Sequence, residues 1–392
     1  MAPGRGEVEA GRRGAPRLAR VTAPSSLVCC GLATLDVVQR VDRVPGADEK
    51  VVARGLDVTF GGPAANAAAT AAALGVSAVL VTALGQGPVA RLVREGLAGA
   101  GVRVVDLAGP GAGDPPVSTV LVTRGTGRRA VVSTNATLRA DDLGPGAARA
   151  AAELLDVAGA VLVDGHHLAA GVAVAEAARR RGVPVLADGG SWKPGLERLL
   201  ALVDVAILSA DFVVPGAIGV RGTPGERVAD PERAGGLIAD PERAGGLIAD
   251  PERARGLIAD PERAGGLIAD PERAGGLIAD PERPGRRTGP RAVDDLLDAV
   301  AALGPSFVAR SSGAGPVRVR LPSGAYDEVV PLLVPPGQVV DTLGAGDVLH
   351  GAVGAALARG MDASVALWEG IELATESVRH AGALGWVGHH PR

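Results

Sequence analysis

The sequence predicts an α/β fold in which a mainly parallel sheet carries helices on both faces. Short apolar stretches alternate with alanine-rich stretches of helical length: residues 77–83 and 102–107, for example, are predicted strands on either side of a predicted helix at 88–98. This alternation indicates a parallel sheet, because neighbouring parallel strands need a long crossover between them. Residues 50–60 and 117–133 instead predict hairpins, which fit a separate, small antiparallel β lid.

The remaining elements follow the same rhythm along the chain. The other predicted strands are 27–31, 160–163, 184–187, 204–208, 306–310 and 317–320. The other predicted helices are 67–74, 169–181, 291–303 and 363–379. Gly75 and Gly182 directly follow two of these helices, where a glycine can adopt the left-handed conformation that ends a helix.

The composition narrows the class of protein. The chain has 392 residues, of which 47% are hydrophobic, and a formal net charge of −4, so we expect a full core and no nucleic-acid partner. No apolar run is long enough to predict a membrane helix. The only cysteines, Cys29 and Cys30, are adjacent, which excludes a disulfide framework and favours a cytoplasmic protein. Residues 1–23 are rich in Arg, Gly and Pro and are predicted to be a disordered tail.

The stretch 339–347, Val-Val-Asp-Thr-Leu-Gly-Ala-Gly-Asp, carries the clearest chemical signal. It predicts a strand, a tight glycine loop and a helix from about Gly346 to Gly360. The N–H groups of residues 344–346 would then lie at a helix N-terminus, where unpaired donors and the helix dipole favour an anion. Asp347 could take a proton from a hydroxyl that attacks a phosphoryl group held there. Alternatively, Asp347 is only a first-turn helix acid, since short glycine motifs are weak indicators by themselves.

A second motif lies near the N-terminus. Residues 61–66, Gly-Gly-Pro-Ala-Ala-Asn, predict a glycine turn into an alanine-rich helix, and the Asn66 amide can both donate to and accept from sugar hydroxyls. A purely structural turn would have the same spacing. Asp36 follows the first predicted strand, at the sheet edge where open α/β folds bind ligands. An exposed loop aspartate fits that position equally well.

Together the two motifs resemble the signatures of the PfkB (ribokinase-like) carbohydrate kinase family, G-G-x-x-x-N and D-T-x-G-A-G-D. The resemblance covers about residues 25–215 and 291–392, and the ketohexokinase-like branch is nearest. It implies a ribokinase-like α/β/α core with a β lid. It also implies transfer of a phosphoryl group from ATP to a sugar hydroxyl with Mg²⁺. A monovalent cation at the nucleotide and a homodimer formed through the lid are compatible with it.

The same resemblance implies roles for individual residues. At the phosphoryl-transfer centre it places Asp347 as the base, with Gly344, Ala345 and Gly346 as the main-chain cradle. At the sugar it places Asp36, Gly62, Asn66 and Arg129. It places Asp341 and Thr342 at positions where family members contact nucleotide phosphates or a monovalent cation. For Arg129 an ordinary exposed strand residue is the alternative.

The chain departs from the family pattern after one late strand. Many members carry N-x-x-E there to order the water around magnesium, whereas residues 209–212 of this chain are Ser-Ala-Asp-Phe. The ketohexokinase-like branch also has Ser and Asp at this place, which indicates a subgroup. The sequence therefore does not identify the residues that hold the metal. It also does not identify the sugar or the hydroxyl group that is phosphorylated.

A decapeptide repeat interrupts the alternating pattern. Asp-Pro-Glu-Arg recurs every ten residues from Asp230 to Asp280. A continuous helix would turn the Leu-Ile pair of each repeat by roughly 80° from the last, so no single apolar stripe would form. We predict a flexible or weakly helical surface insertion at 216–290 between two parts of one kinase domain, 24–215 and 291–392. A folded binding array is the alternative.

Two other functions stay open beside a sugar kinase. A nucleoside kinase on the same fold would need a wider apolar slot for the base, often lined by aromatic residues, and only 2% of this chain is aromatic. A non-catalytic sugar-binding scaffold would use the repeats as its interaction surface. Asp347 argues against the scaffold, because a pure binding protein has no use for a base beside an anion site.

Overall fold

The computed structural model describes residues 26–134, 142–215 and 290–389. The chain divides into two compact units, one of residues 1–212 with 293–392 and one of residues 213–292. Both sheets and the cavity described below belong to the first unit. The predicted tail at 1–23 and the decapeptide repeats lie outside the described residues.

The described elements are numbered here in chain order. The strands are β1 (Ser26–Cys30), β2 (Thr34–Val41), β3 (Gly55–Gly61), β4 (Ser77–Thr82), β5 (Val102–Asp106), β6 (Val117–Thr123), β7 (Arg129–Ser133), β8 (Ala158–Val163), β9 (Val185–Gly189), β10 (Val205–Leu208), β11 (Phe307–Ser312), β12 (Gly315–Arg320) and β13 (Tyr326–Val329). The helices are α1 (Pro63–Ala73), α2 (Pro88–Gly99), α3 (Gly144–Leu154), α4 (Leu168–Arg181), α5 (Leu196–Leu200), α6 (Pro290–Ala301), α7 (Ala345–Ala358) and α8 (Ala363–Ser377).

The larger sheet has nine strands in the order β13-β12-β11-β10-β9-β8-β1-β4-β5. All neighbours from β11 to β5 are parallel, and only β12 and β13 at one edge are antiparallel. The predicted, mainly parallel sheet is thus confirmed. Every residue of β1, which lies between β8 and β4, is buried, as expected for a strand covered on both faces.

Helices cover both faces of this sheet. α7 packs against α1 and α8 and lies over β1, β8 and β9, while α4 packs against α3 and α5 and contacts the same three strands. Small residues allow the close packing around α7. A Cβ on Gly351 would lie 2.5 Å from the carbonyl oxygen of Ala67, and one on Gly354 would lie 2.9 Å from Leu27. Because α7 is buried along nearly its whole length, its N-terminus has a fixed place at the sheet edge.

The second sheet is the expected lid, but its strands are arranged differently from the prediction. It has four strands in the order β3-β2-β6-β7. The outer pairs, β2 with β3 and β6 with β7, are antiparallel, whereas the central pair of β2 and β6 is parallel. The prediction of a fully antiparallel lid is therefore wrong for the central pair. The two hairpins meet through their first strands, β2 and β6, and these strands run in the same direction. Residues 50–54, predicted as strand, precede β3.

Several local predictions need correction. No strand was predicted for β2 or β13 and no helix for α3 or α5. The strand predicted at residues 339–340 is in neither sheet: the N–H groups of Val340 and Asp341 both donate to the carbonyl oxygen of Val378, just after α8. This segment docks on the end of a helix, which satisfies the donors that a sheet would otherwise use.

Helix ends agree better with the prediction. α7 begins at Ala345, one residue earlier than expected, and Gly360 beyond its end has the predicted positive φ, at 82°. Gly75 and Gly182 likewise have positive φ, at 79° and 69°. None of the helices in the described part of the chain is long and apolar enough to cross a membrane.

Candidate active site

The turn that leads into α7 contains two glycines with different surroundings. Gly344 has a φ of 76°, and a Cβ on it would lie 2.5 Å from the Cβ of Ala383, so backbone and packing both require glycine there. Around Gly346, by contrast, no heavy atom beyond the adjoining backbone lies within 4 Å of the position of a Cβ. The missing side chain of Gly346 therefore leaves open space at the start of the helix.

The first turn of α7 offers main-chain donors to that space. The N–H groups of Gly346 and Asp347 donate no hydrogen bond to any other described residue, while that of Ala345 makes a long one, 3.4 Å, to the carbonyl oxygen of Thr342. Unpaired N–H groups at a helix N-terminus attract anions, because the helix dipole places partial positive charge there. This geometry fits a phosphate. The cradle role of Gly344, Ala345 and Gly346 has this support and stays a prediction.

The two sequence motifs meet at Asp347. Asn66, on the first turn of α1, donates from Nδ2 to Asp347 Oδ2 at 2.7 Å across a sequence separation of 281 residues. Asn66 is nearly buried, at 7% exposure. The sequence motif had suggested that Asn66 binds sugar hydroxyls. The structure shows that it also fixes one oxygen of Asp347.

The surroundings of Asp347 favour its protonated form. Burial raises the pKa of Asp347 to about 7, and the negative charge of Asp188 contributes in the same direction. The hydrogen bond from Asn66 and the charges of His350 and Arg129 act in the opposite direction and are smaller. A carboxylate with a pKa near 7 is suited to general base catalysis at neutral pH.

Asp36 lies on the lid strand β2, and not at the carboxyl end of the first strand as the sequence had suggested. It is buried, and Thr34 Oγ1 donates to its Oδ1 at 2.6 Å. Burial is the largest influence on the pKa of Asp36 and raises it. The carboxylate lies directly over Gly61, where a Cβ would be 2.0 Å from Oδ2. Gly62 has a φ of 96° and is the N-cap residue directly before α1.

A cavity of about 520 Å³ opens between the lid and the segments that precede α7 and follow α8. It is lined by lid residues that include Asp36 and Phe60, by Asn66, and by Asp341, Leu343 and residues 381–385. Two of the four residues predicted at the sugar, Asp36 and Asn66, thus line one cavity. Its volume exceeds that of a monosaccharide, so it can admit a sugar together with water or a larger glycoside.

Arg129 ties the lid to the turn before α7. Arg129 lies on β7, and its Nη1 is 3.1 Å from the carbonyl oxygen of Thr342 and 3.4 Å from the hydroxyl oxygen of the same residue. The hydroxyl of Thr342 in turn donates to the carbonyl oxygen of Gly127 at 2.9 Å. Arg129 is therefore more than an exposed strand residue, although its predicted contact with substrate stays a prediction.

Asp341 is buried and uses both carboxylate oxygens on the main chain. Oδ1 accepts from the N–H of Leu343 at 2.8 Å, and Oδ2 accepts from the N–H of Gly382 at 3.0 Å. Asp341 thereby joins the turn before α7 to the segment after α8 that lines the cavity. This structural role was not foreseen, and the predicted contact of Asp341 and Thr342 with nucleotide phosphates stays a prediction.

Two acids at the carboxyl ends of strands, for which no role was predicted, also belong to this region. Asp164 follows β8, and its buried carboxylate accepts from the N–H groups of Leu32 at 2.8 Å, Ala64 at 3.2 Å and His166 at 2.9 Å. It joins the ends of β1 and β8 to the start of α1. The negative charge of Asp188, near the end of β9, contributes to the raised pKa of Asp347. The available signal was an Asp-Gly pair directly after each apolar strand.

The comparison with protein families matches residues 24–211 and 286–385 to the pfkB family carbohydrate kinases. No curated protein sequence matches the chain. Among solved structures, a putative ribokinase from Agrobacterium tumefaciens is similar, with 21% identity over 93% of this chain and 94% of that one and a TM-score of 0.60.

Two further solved structures show the same fold. The Arabidopsis thaliana ribokinase complexed with ribose and ATP has 20% identity over 92% of this chain and 95% of that one, with a TM-score of 0.57. The tetrameric inhibited form of phosphofructokinase-2 from Escherichia coli has 15% identity over 90% and 94%, with a TM-score of 0.59. The family match covers more than half of the chain and both motifs that meet at Asp347. The protein therefore belongs to the pfkB family of carbohydrate kinases and has the ribokinase-like fold.

Proposed function

We propose that the protein is an ATP-dependent kinase that transfers the γ-phosphoryl group to a hydroxyl of a neutral sugar. The observation that carries this proposal is the position of Asp347. Its carboxylate lies at the N-terminus of α7, beside unpaired main-chain N–H groups, and accepts a hydrogen bond from Asn66, which lines the cavity.

In the proposed reaction the sugar hydroxyl oxygen attacks the γ-phosphorus. The new P–O bond forms as the bond from the γ-phosphorus to the bridging oxygen of ADP breaks, and the hydroxyl proton passes to Asp347. The N–H groups of Gly346 and Asp347 would stabilise the charge on the phosphoryl oxygens. Mg²⁺ bound to the nucleotide would neutralise part of the phosphate charge.

The protein ligands of that metal stay unassigned. In the described ranges, no group of three or more His, Cys, Asp or Glu side chains could hold a metal ion. This fits a magnesium ion that keeps several waters and binds chiefly to substrate phosphates. A monovalent cation near Asp341 would share the carboxylate oxygens with the N–H groups of Leu343 and Gly382, or would bind to main-chain oxygens.

The charges that line the cavity favour a neutral sugar over a sugar phosphate. The acids are Asp36, Asp57 and Asp341, and the one arginine among the lining residues, Arg40, is paired with Asp57 at 2.5 Å. A bound sugar phosphate would need an uncompensated cation, whereas carboxylates and the Asn66 amide suit hydroxyl groups.

The test is a panel assay of ADP formation with neutral sugars, sugar phosphates and nucleosides. We expect a neutral sugar to give the highest kcat/KM. Asp347→Asn should then lower kcat by about 10²–10⁴, the contribution of a general base, with sugar binding by calorimetry largely retained. Glu197→Gln, at an exposed first-turn acid of α5, is the matched control and should not change kcat. A nucleoside as best substrate, or near-native turnover of Asp347→Asn, would contradict the proposal.

We also propose that the lid forms a homodimer. One face of it exposes apolar side chains: Leu56 at 61%, Val58 at 53% and Val132 at 76%. A second copy of the chain would cover them. Sedimentation of the full chain, compared with Val132→Lys, checks this, and a wild-type monomer at micromolar concentration would contradict it.

A further inference from the structure

His350 lies one helical turn after Gly346 on α7 and is buried, with a side-chain exposure of 6%. Its Nδ1 is 2.7 Å from the carbonyl oxygen of Gly346, and its Nε2 is 3.1 Å from the carbonyl oxygen of Ile207 on β10. The carboxylate of Asp188 is 3.5 Å from Nδ1. The ring therefore links the first turn of α7 to the carboxyl ends of two central strands.

Both nitrogens of this ring face atoms that can only accept hydrogen bonds. A neutral imidazole has one N–H donor and one lone-pair nitrogen, so it would set a lone pair against a carbonyl oxygen in this site. The imidazolium ion donates from both nitrogens and satisfies both carbonyl groups. A buried cation needs a counter-ion, and the buried carboxylate of Asp188 is in place to supply it.

Asp347 lies in the field of this pair. The charge of Asp188 raises the pKa of Asp347, whereas the hydrogen bond from Asn66 and the charges of His350 and Arg129 lower it. Asp188 itself has a raised pKa because it is buried. The charges around Asp188 are His350, His166 and Lys193, which lower its pKa, and Asp164, which raises it.

We propose that His350 is a positioning residue, an imidazolium ion paired with Asp188, that anchors the first turn of α7 to the sheet and compensates the charge of Asp188 beside Asp347. The inference rests on the proposed function in taking Asp347 as the base. It assigns a role to a histidine that contacts neither the cavity nor the space in front of Gly346.

The kinetic test uses the acid side of the pH profile of kcat/KM. His350→Gln leaves the charge of Asp188 uncompensated, so Asp347 should ionise at higher pH and the acid limb should move up by about one pH unit. That shift lowers kcat/KM about ten-fold at pH values below the limb. The double variant His350→Gln/Asp188→Asn removes both charges, and its limb should return to within a few tenths of a unit of wild type.

A purely structural His350 would give a different result. Its replacement would lower the melting temperature or kcat but would leave the limb in place, and removing the charge of Asp188 would restore nothing. An unshifted limb in folded His350→Gln, or a shift that persists in the double variant, would overturn the proposal.

The second test does not depend on activity. In ¹⁵N-labelled full chain near pH 7, both ring nitrogens of His350 should resonate in the protonated range, with the signal identified by its loss in His350→Gln. In Asp188→Asn the same signal should move to the pattern of a neutral ring, and this variant also identifies it if His350→Gln does not fold. One protonated and one bare nitrogen in wild type would overturn the proposal. If no sugar is phosphorylated, this measurement still decides the state of His350, and the proposed function alone fails.

Discussion

Replacing Gly346 by alanine tests the phosphate cradle with a single methyl group. The added Cβ would meet no heavy atom beyond the adjoining backbone within 4 Å, so the folded protein should accept it without rearrangement. Gly346 is the second residue of α7, and alanine is favoured over glycine in a helix by about 0.5–1 kcal/mol. The variant should therefore be at least as stable as wild type.

Activity should respond in the opposite way. The methyl group would occupy the open space that we assign to the transferring phosphate and would keep the N–H groups of Gly346 and Asp347 away from it. Loss of one such donor costs about 10²–10³ in rate in comparable sites, so we expect kcat/KM to fall at least 100-fold. The assay is initial-rate ADP formation beside thermal unfolding of the same samples.

Two glycines serve as comparators. Gly99→Ala, at the end of α2, also adds a Cβ with no heavy atom within 4 Å and should change neither activity nor stability by much. Gly344→Ala forces a non-glycine residue to a φ of 76° and against Ala383, so it should cost about 1–3 kcal/mol and lower the melting temperature. A Gly346→Ala enzyme that keeps activity within threefold of wild type would refute the cradle.

Three further predictions address the base, the sugar and the repeats. Because Asp347 must be ionised to act as a base and its pKa is raised to about 7, kcat/KM should fall about ten-fold per unit below pH 7 and level off above it; a profile that is flat from pH 5 to 8 contradicts this. Asn66→Ala and Asp36→Ala should weaken sugar binding by about 1–3 kcal/mol and ATP binding less, measured by calorimetry, whereas equal losses indicate misfolding. Deleting residues 228–283 should leave kcat/KM and the melting temperature nearly unchanged, since closing a loop costs only about 0.6 kcal/mol per doubling of its length; a fall of several degrees contradicts an independent insertion.

The parts of the fold that could be predicted are those that depend on neighbours along the chain. Alternating apolar and alanine-rich stretches placed most of the parallel strands and their helices within a few residues. Gly75, Gly182 and Gly360 marked helix ends because only glycine takes positive φ there at little cost, and all three have it. In the same way, the glycine turn before Asp347 predicted a helix N-terminus at the correct place.

Two of the wrong or missing predictions concern segments whose partners are distant in sequence. Val339 and Val340 have the residue types of a strand, yet the segment docks on the end of α8 because Val378 offers a carbonyl there. β2 pairs in parallel with β6, although β3, two helices and two strands of the other sheet lie between them in sequence. A periodic pattern specifies which face of a segment is apolar, but it does not specify which segment covers that face.

The sequence by itself determined the fold class, the family resemblance and the residue types at the site, because each of these rests on short motifs or on local periodicity. Only the tertiary structure decided which of those residues meet. It placed Asn66 against Asp347, committed both oxygens of Asp341 to main-chain N–H groups, and enclosed His350 between two carbonyl oxygens and Asp188. The physical reason is that the ionisation and hydrogen bonding of a side chain depend on everything within a few ångströms of it, and at a sheet edge those neighbours come from distant parts of the chain.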